Sequence, residues 1–229
     1  MNWFQSFLVS SIGQKIIMAL TGFFLMLFLV VHLVGNLQLL KSDGGEAFNT
    51  YTYFMTHNPL IKTVSYLLYA TIVLHTIQGI IITRYNKKAA GLKRYIKKST
   101  ATSDFAARNM AWLGILIFIF IVLHLKDFWY VMKFTDKLTM VKYPNHPEEV
   151  KDLYSMVAVE FKEIWVIVLY SLSMVVLAFH LLHGFASSFR TVGVNHPKYL
   201  RIIKFVGKFY AFLIPIGFAI IPIVFYFCK

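Results

Sequence analysis

Five long runs without a charged residue constrain the fold of this chain more than any other feature. They cover residues 16–40, 63–83, 109–125, 164–189 and 209–228, with lengths of 25, 21, 17, 26 and 20 residues. A helix needs about 20 mostly apolar residues to cross a bilayer core. The sequence therefore predicts an all-α transmembrane bundle of five helices, formed by a single domain over residues 1–229.

The distribution of basic residues predicts the orientation of this bundle. The net charge is +13, and residues 84–108 carry eight basic side chains against one acid, whereas residues 190–208 carry five and no acid. Residues 133–162 mix both signs. The positive-inside tendency places the two basic connections and the N-terminus in the cytoplasm and Lys229 outside. In a membrane protein this charge favours anionic lipid as a partner rather than nucleic acid.

The ends and connections of the chain carry weaker signals. The first run is too long for the core of a cleaved signal peptide, which predicts a retained helix. Residues 1–11 form a short amphipathic segment, residues 41–45 a turn, and residues 46–58 an external loop before the helix that begins near Pro59. Residues 127–163 form a surface loop leading into a short helix. Cys228 is the single cysteine, so an all-cysteine iron–sulfur site needs a partner subunit.

Four histidines, each in a different apolar run, are the strongest functional signal. Their distances from the nearest charged residue at the Lys/Arg-rich end fall into two groups: 17 and 16 positions for His32 and His124, and 9 and 10 positions for His75 and His180. Seven residues of helix separate the two levels by roughly 10 Å. Histidines of equal depth can then face each other in pairs. Each pair could supply the two axial imidazole ligands of one b-type haem, which predicts two haems. We call His32–His124 the deep pair and His75–His180 the shallow pair.

An alternative is that each histidine only hydrogen-bonds a neighbouring helix. Two pairs at matched depth favour function, because ionisable groups at this depth are costly. A weak repeat agrees: a glycine precedes each deep histidine by ten positions and follows each shallow one by four, at Gly22, Gly79, Gly114 and Gly184. Such glycines allow close approach of a flat macrocycle or another helix.

His183 is an alternative partner for His75, because it lies only seven residues from Arg190. The glycine four positions after both His75 and His180 favours His180. His183 then contacts a propionate or a quinone. Three other histidines lie in polar connections beside Asn or Pro, which is typical of surface residues without a role: His57, His146 and His196.

Five further polar residues are candidates for cofactor contacts. Arg84 and Arg190 follow the shallow histidines and can reach haem propionates, although ordinary snorkelling explains them equally well. Lys126 either serves the deep haem or marks the outer end of its span. Asn36 and Gln38 either bind quinone carbonyls or bond helix ends.

Several ordered segments resemble one family. They are Ser-Ser-Ile-Gly-Gln-Lys at 10–15 with Ala-Leu-Thr-Gly at 19–22, Val-His-Leu-Val-Gly-Asn at 31–36, Gly-Glu-Ala-Phe-Asn at 45–49, and the remaining three histidine segments in order. Together they resemble the diheme cytochrome b membrane anchor of succinate dehydrogenases and fumarate reductases, of the single-subunit, five-helix type.

The resemblance implies a proximal haem on His75 and His180 and a distal haem on His32 and His124, all within the first four helices. It implies a flavoprotein subunit and an iron–sulfur subunit on the cytoplasmic side, menaquinone as the exchangeable substrate, and a bacterial cytoplasmic membrane. The dicarboxylate site would lie on the flavoprotein. Competing interpretations are the diheme quinone cytochrome of another dehydrogenase, a histidine-lined metal-ion transporter, and a structural anchor without haem.

Overall fold

The computed structural model describes residues 2–89, 105–144 and 146–229. Five helical segments among these residues, 28 to 32 residues long, are long and apolar enough to cross a membrane; two of them include a 3₁₀ or π-helical turn. This confirms the all-α bundle of five potential membrane helices. Part of the predicted basic connection, residues 90–104, lies outside the described residues.

The helices extend beyond the uncharged runs. Their bounds are α1 Trp3–Val9, α2 Ser11–Asn36, α3 Glu46–His57, α4 Pro59–Ala89, α5 Phe105–His124, α6 Val131–Phe134, α7 Leu153–Glu160, α8 Ile164–Thr191 and α9 Pro197–Cys228. A 3₁₀ turn, Leu37–Leu40, extends α2, and a π-helical turn, Leu125–Tyr130, joins α5 to α6. The extra turns contain basic residues such as Lys87 and Lys88, whose long side chains can reach water from a helix end.

Polar caps fix where the membrane helices begin. The Ser10 hydroxyl accepts a hydrogen bond from Gly13 N at 3.0 Å, at the start of α2. The Asn58 side chain accepts one from Leu60 N at 3.0 Å, and Pro59 is the first residue of α4. Both satisfy amide groups that a helix start leaves unpaired. The predicted helix start near Pro59 is therefore confirmed.

Four of the membrane helices form a closed ring. Helix α2 packs against α4 and α8, and α5 packs against the same two helices. Helix α2 consequently lies diagonally opposite α5, and α4 lies diagonally opposite α8. Helix α9 packs outside this ring, mainly on α8 and also on α2. We call the end where α2, α5 and α9 begin the basic end, and the opposite one the capped end.

The capped end is more ordered than the sequence predicted. The expected loop 46–58 is mostly the helix α3, and the connection 127–163 contains two short antiparallel strands, β1 Met140–Val141 and β2 Val150–Lys151. Helix α7 confirms the short helix that was predicted in this connection. Helix α3 starts after two glycines with φ of 66° and 91°, a backbone conformation that glycine adopts without strain.

Asn49 joins these capped-end elements. Its side chain is 0% exposed. The side-chain amide donates to the Tyr143 hydroxyl at 2.9 Å and to the Asp152 carboxylate at 3.0 Å, and its oxygen accepts from Tyr154 N at 2.9 Å. Burial raises the pKa of Asp152, but hydrogen bonds from Ser155 and Asn49 outweigh that effect and hold the pKa below its usual value.

Replacing Asn49 with alanine should loosen the capped end. The change leaves buried polar groups without partners, at a cost of about 1–3 kcal/mol. We expect faster proteolytic cleavage within residues 135–152, measured on detergent-solubilised protein. Asn109→Ala is the control, since that exposed side chain bonds the Phe105 carbonyl of its own helix. Equal cleavage of the two variants would contradict the role of Asn49.

The hydrophobic core lies near the capped end, where α7, α8, α9 and the 3₁₀ turn converge. It consists of Leu39, Phe48, Leu153, Val157, Phe161, Val166, Tyr170, Ile221 and Phe225. The partly buried Phe120 and Phe128 pack against it from α5 and the π-helical turn. This core therefore borders the deep histidine pair and fixes the positions of α5 and α8 there.

Candidate functional site

The four histidine rings meet in two pairs across the diagonals of the helix ring. The ring centres of His32 on α2 and His124 on α5 lie 5.9 Å apart. Those of His75 on α4 and His180 on α8 lie 6.4 Å apart. The residues that share a depth in the sequence are thus the residues whose rings approach each other.

These separations suit a metal between two imidazoles. A metal–imidazole bond is about 2.0 Å long, so a linear imidazole–metal–imidazole unit places the ring centres roughly 6 Å apart. Edge-to-face contact between bare rings spans about 4.5–7 Å, and the two pairs have interplanar angles of 84° and 63°. Both pairs therefore have a spacing that admits a metal between the rings and that direct ring contact also explains.

A glycine from a neighbouring helix lies beside each histidine of the shallow pair. A Cβ at Gly22 would lie 3.7 Å from His75 Cε1, and one at Gly114 would lie 3.9 Å from His180 Cε1. Each glycine therefore comes from a helix next to the shallow histidine that it faces. The absent side chains leave room for about one methyl group beside each ring, and Ser188 Oγ lies 3.4 Å from the Cβ position of Gly22. These glycines therefore allow the helices to approach each other closely.

The same two helix pairs repeat this contact four residues away. The Met18 methyl group lies 3.7 Å from a Cβ position at Gly79, and the Met110 methyl group lies 3.7 Å from one at Gly184. Met18 precedes Gly22 by four positions, as Met110 precedes Gly114. The hairpin of α2 with α4 and the packing of α5 on α8 are thus locally equivalent, as the glycine repeat predicted.

The ring nitrogens of the four histidines differ in their hydrogen-bond partners. Thr21 Oγ1 lies 2.9 Å from His75 Nδ1, and the Tyr170 hydroxyl lies 3.2 Å from His124 Nδ1. The Asn36 amide donates to the His32 carbonyl at 2.8 Å and lies 3.3 Å from its Nδ1. His180 Nδ1 is buried and has no hydrogen-bond partner among the described residues.

Aromatic rings surround the deep pair. Ring centres within 6.0 Å of His32 or His124 belong to Phe28, Phe120, Phe128, Tyr170 and Phe218. These rings supply apolar surface and exclude water. The shallow pair has the hydroxyl of Thr21 and the two glycines beside it.

His180 rather than His183 is the α8 histidine whose ring faces His75. His183 lies three positions further along α8, toward the basic end, and is half-buried. The geometry therefore favours the choice that the glycine spacing indicated.

The other predicted contact residues differ in their exposure and in their hydrogen-bond partners. Arg84 and Arg190 are exposed, and Arg190 Nε donates to the Ala186 carbonyl at 3.3 Å. The Lys126 side chain is 73% exposed and pairs with Asp127 at 3.2 Å, which agrees with the outer-end interpretation. Asn36 lies against His32 itself, and Gln38 is half-buried in the 3₁₀ turn.

Sequence reasoning missed Thr21, Tyr170 and the two methionines. The methionines carried a detectable signal, because Met-x₃-Gly-x₉-His occurs in both α2 and α5. Thr21 and Tyr170 carried none, since their contacts depend on how neighbouring helices are rotated. Asp127 also enters the site region: its side chain is only 13% exposed, in the π-helical turn that follows His124.

Together these features define a membrane helix bundle with two facing imidazole pairs stacked along its axis. In the parts of the chain that the structure describes, no three His, Cys, Asp or Glu side chains converge on a metal-ion site. The chain matches no family model, no curated protein and no solved structure.

Proposed function

We propose that this chain is the membrane anchor and cytochrome b subunit of a succinate:quinone oxidoreductase or fumarate reductase. The two imidazole pairs across the bundle diagonals carry this proposal. The chain passes electrons between an iron–sulfur subunit and menaquinone through two b haems. It is the quinone-reacting subunit and has no dicarboxylate site of its own.

His75 and His180 hold the proximal haem, and His32 and His124 hold the distal one. The bound haems supply reversible one-electron transfer. The protein supplies neutral imidazoles, an apolar shell around the deep pair and glycine surfaces beside the shallow pair. These features orient the cofactors and keep water away from them.

The proposed orientation places the basic end in the cytoplasm of a bacterial cell and the capped end outside. Basic residues lie at that end on α4, α8 and α9, in agreement with the positive-inside tendency. The flavoprotein and iron–sulfur subunits dock there, close to the shallow pair. Arg84 and Arg190 lie at the same end and are the candidates for propionate contacts.

Menaquinone reacts nearer the capped end in this proposal. Asn36 and Gln38 are the polar candidates there, and the Asn36 amide already contacts the His32 ring. A shift of that amide toward a quinone carbonyl would couple substrate binding to a distal ligand. The exposed Lys126 lies just beyond the end of α5 and has no assigned cofactor contact.

Copurification tests this assignment against other diheme cytochromes. The tagged chain should be isolated from its native membrane in mild detergent, together with its partners. We expect a flavoprotein and an iron–sulfur protein, and reduction of a menaquinone analogue that depends on succinate. Partners without flavin, or a complex inactive with both succinate and fumarate, would contradict the proposal.

Gly114→Leu should displace the proximal haem. A branched side chain at this position would fill the space beside His180, where even a Cβ would lie 3.9 Å from the ring. We expect the haem content to fall from two to about one per chain. Gly114→Ala is the graded control, because that distance is an ordinary contact. Full haem content in Gly114→Leu would show that this glycine does not border the cofactor.

A further inference from the structure

The Thr21 hydroxyl has one hydrogen and three neighbouring hydrogen-bonding groups. It lies 2.8 Å from the Ile17 carbonyl and 3.0 Å from the Met18 carbonyl, both on its own helix. Either carbonyl can only accept a hydrogen bond. A hydroxyl that donates to either carbonyl leaves a lone pair for the third neighbour, His75 Nδ1, at 2.9 Å.

An oxygen that accepts at this distance requires a hydrogen on the ring nitrogen. His75 Nδ1 is then the donor, and a neutral imidazole protonated at Nδ1 carries its free lone pair on Nε2. Only that nitrogen can bind iron. Thr21 is itself buried, with 8% exposure, so water does not readily replace it as the acceptor.

We propose that Thr21 is a positioning residue that fixes the tautomer and ring orientation of His75, with Nε2 directed toward His180. This inference rests on the proposed haem ligation and goes beyond it, because it makes the two axial ligands of the proximal haem unequal. Among the described residues, no hydroxyl bonds His180 Nδ1.

The sequence repeat shared by α2 and α5 explains why His75 and His180 differ in their hydrogen bonding. Thr21 immediately precedes Gly22, and the residue that immediately precedes Gly114 is Leu113. Leu113 is buried, with 6% exposure, and offers no polar atom. Consistently, His180 Nδ1 finds no hydrogen-bond acceptor within the described parts of the chain.

The expected consequence is a lower reduction potential for the proximal haem. An imidazole that donates from Nδ1 is a more basic ligand, and a more basic ligand favours ferric over ferrous iron. Removing the acceptor in Thr21→Val should raise the ratio of reduced to oxidised proximal haem by roughly three- to tenfold at a fixed potential. This corresponds to a rise of about 30–59 mV for a one-electron couple.

The experiment is a redox titration of the purified complex, combined with low-temperature electron paramagnetic resonance of the ferric haems. The proximal signal is identified as the one that His180→Ala removes. Thr21→Val should shift that signal and its potential and leave the distal haem unchanged. Thr21→Ser should restore both values, because it retains the hydroxyl.

Thr76→Val is the matched control. Thr76 follows His75 directly, and its hydroxyl donates to the Ile72 carbonyl on its own helix at 2.8 Å. The same loss of a hydroxyl at this position should leave both haems at wild-type potentials. An equal shift in Thr76→Val would overturn the role of Thr21.

Leu113→Thr provides the reciprocal test. It places a hydroxyl at the equivalent position beside His180 and should lower the proximal potential. An unchanged or raised potential would count against the inference.

The outcomes separate this inference from the proposed function. Two haems with unchanged proximal potential and resonance in Thr21→Val would overturn the positioning role and leave the ligation intact. Loss of the proximal haem in Thr21→Val but not in Thr21→Ser would support it. A wild-type complex without haem would overturn both.

Discussion

His75→Ala or His180→Ala is expected to remove the proximal haem and leave the distal haem in place. Each change deletes one of two axial ligands, and the remaining ring cannot replace a partner whose centre lies 6.4 Å away. Haem content should fall from two to one per chain. Reduction potentials would show which haem remains.

His32→Ala and His124→Ala should have the opposite selectivity and remove the distal haem. The deep pair belongs to α2 and α5, whereas the shallow pair belongs to α4 and α8, so each substitution alters a ligand at one level only. The aromatic rings around the deep pair should preserve packing in these variants.

His183→Ala is the control for the shallow pair, since it lies on the same helix three positions from His180. It should retain both haems. If His183→Ala loses a haem while His180→Ala keeps two, the ligand assignment on α8 is wrong. Substituting His196, the cap of α9, controls for general effects of histidine loss.

Electrogenic turnover is the second large expected effect. If quinone reacts near the distal haem, succinate oxidation moves electrons from the cytoplasmic side toward the outside. An elementary charge crossing 100 mV is worth about 2.3 kcal/mol, so two electrons gain about 4.6 kcal/mol over the full field. A membrane potential that is positive outside should therefore assist electron transfer from succinate to menaquinone.

The distribution of acidic residues agrees with uncompensated charge movement. The five spans contain a single acidic residue, Asp127, which lies toward the capped end and pairs with Lys126. The chain thus offers no series of carboxylates from one side to the other, although haem propionates could move a proton.

Sealed vesicles of native orientation, energised by an independent donor, test this directly. An uncoupler should slow electron transfer from succinate to menaquinone. Detergent-solubilised complex is the control and should be insensitive to the same uncoupler. An unchanged rate in vesicles whose potential has measurably collapsed would argue decisively for electroneutral turnover.

The depth of the histidines was predictable because helical rise is regular. Position along the axis follows directly from residue number, so His32 and His124 could be matched without knowing their contacts. Rotation about the axis is different, because packing with neighbouring helices sets it. The contacts of Thr21 with His75 and of Tyr170 with His124 therefore needed the structure.

The capped end shows where local sequence preference was misleading. Helix α3 contains Asn, Thr and Tyr residues of modest helix propensity, and the segment was expected to be a loop. Packing of Phe48 and the three hydrogen bonds of Asn49 stabilise the helix instead. Tertiary contacts of this kind override weak propensities. The strands β1 and β2 pair across residues 142–149, a segment whose prolines and acids favoured a loop.

The most direct test of the central claim is a reduced-minus-oxidised spectrum of the purified complex, with haem quantified per chain. We expect two low-spin b-type haems per intact chain, one at each histidine pair. One haem per chain would show that only one pair binds iron. No haem would contradict the proposal and favour a structural anchor or a histidine-lined metal-ion transporter.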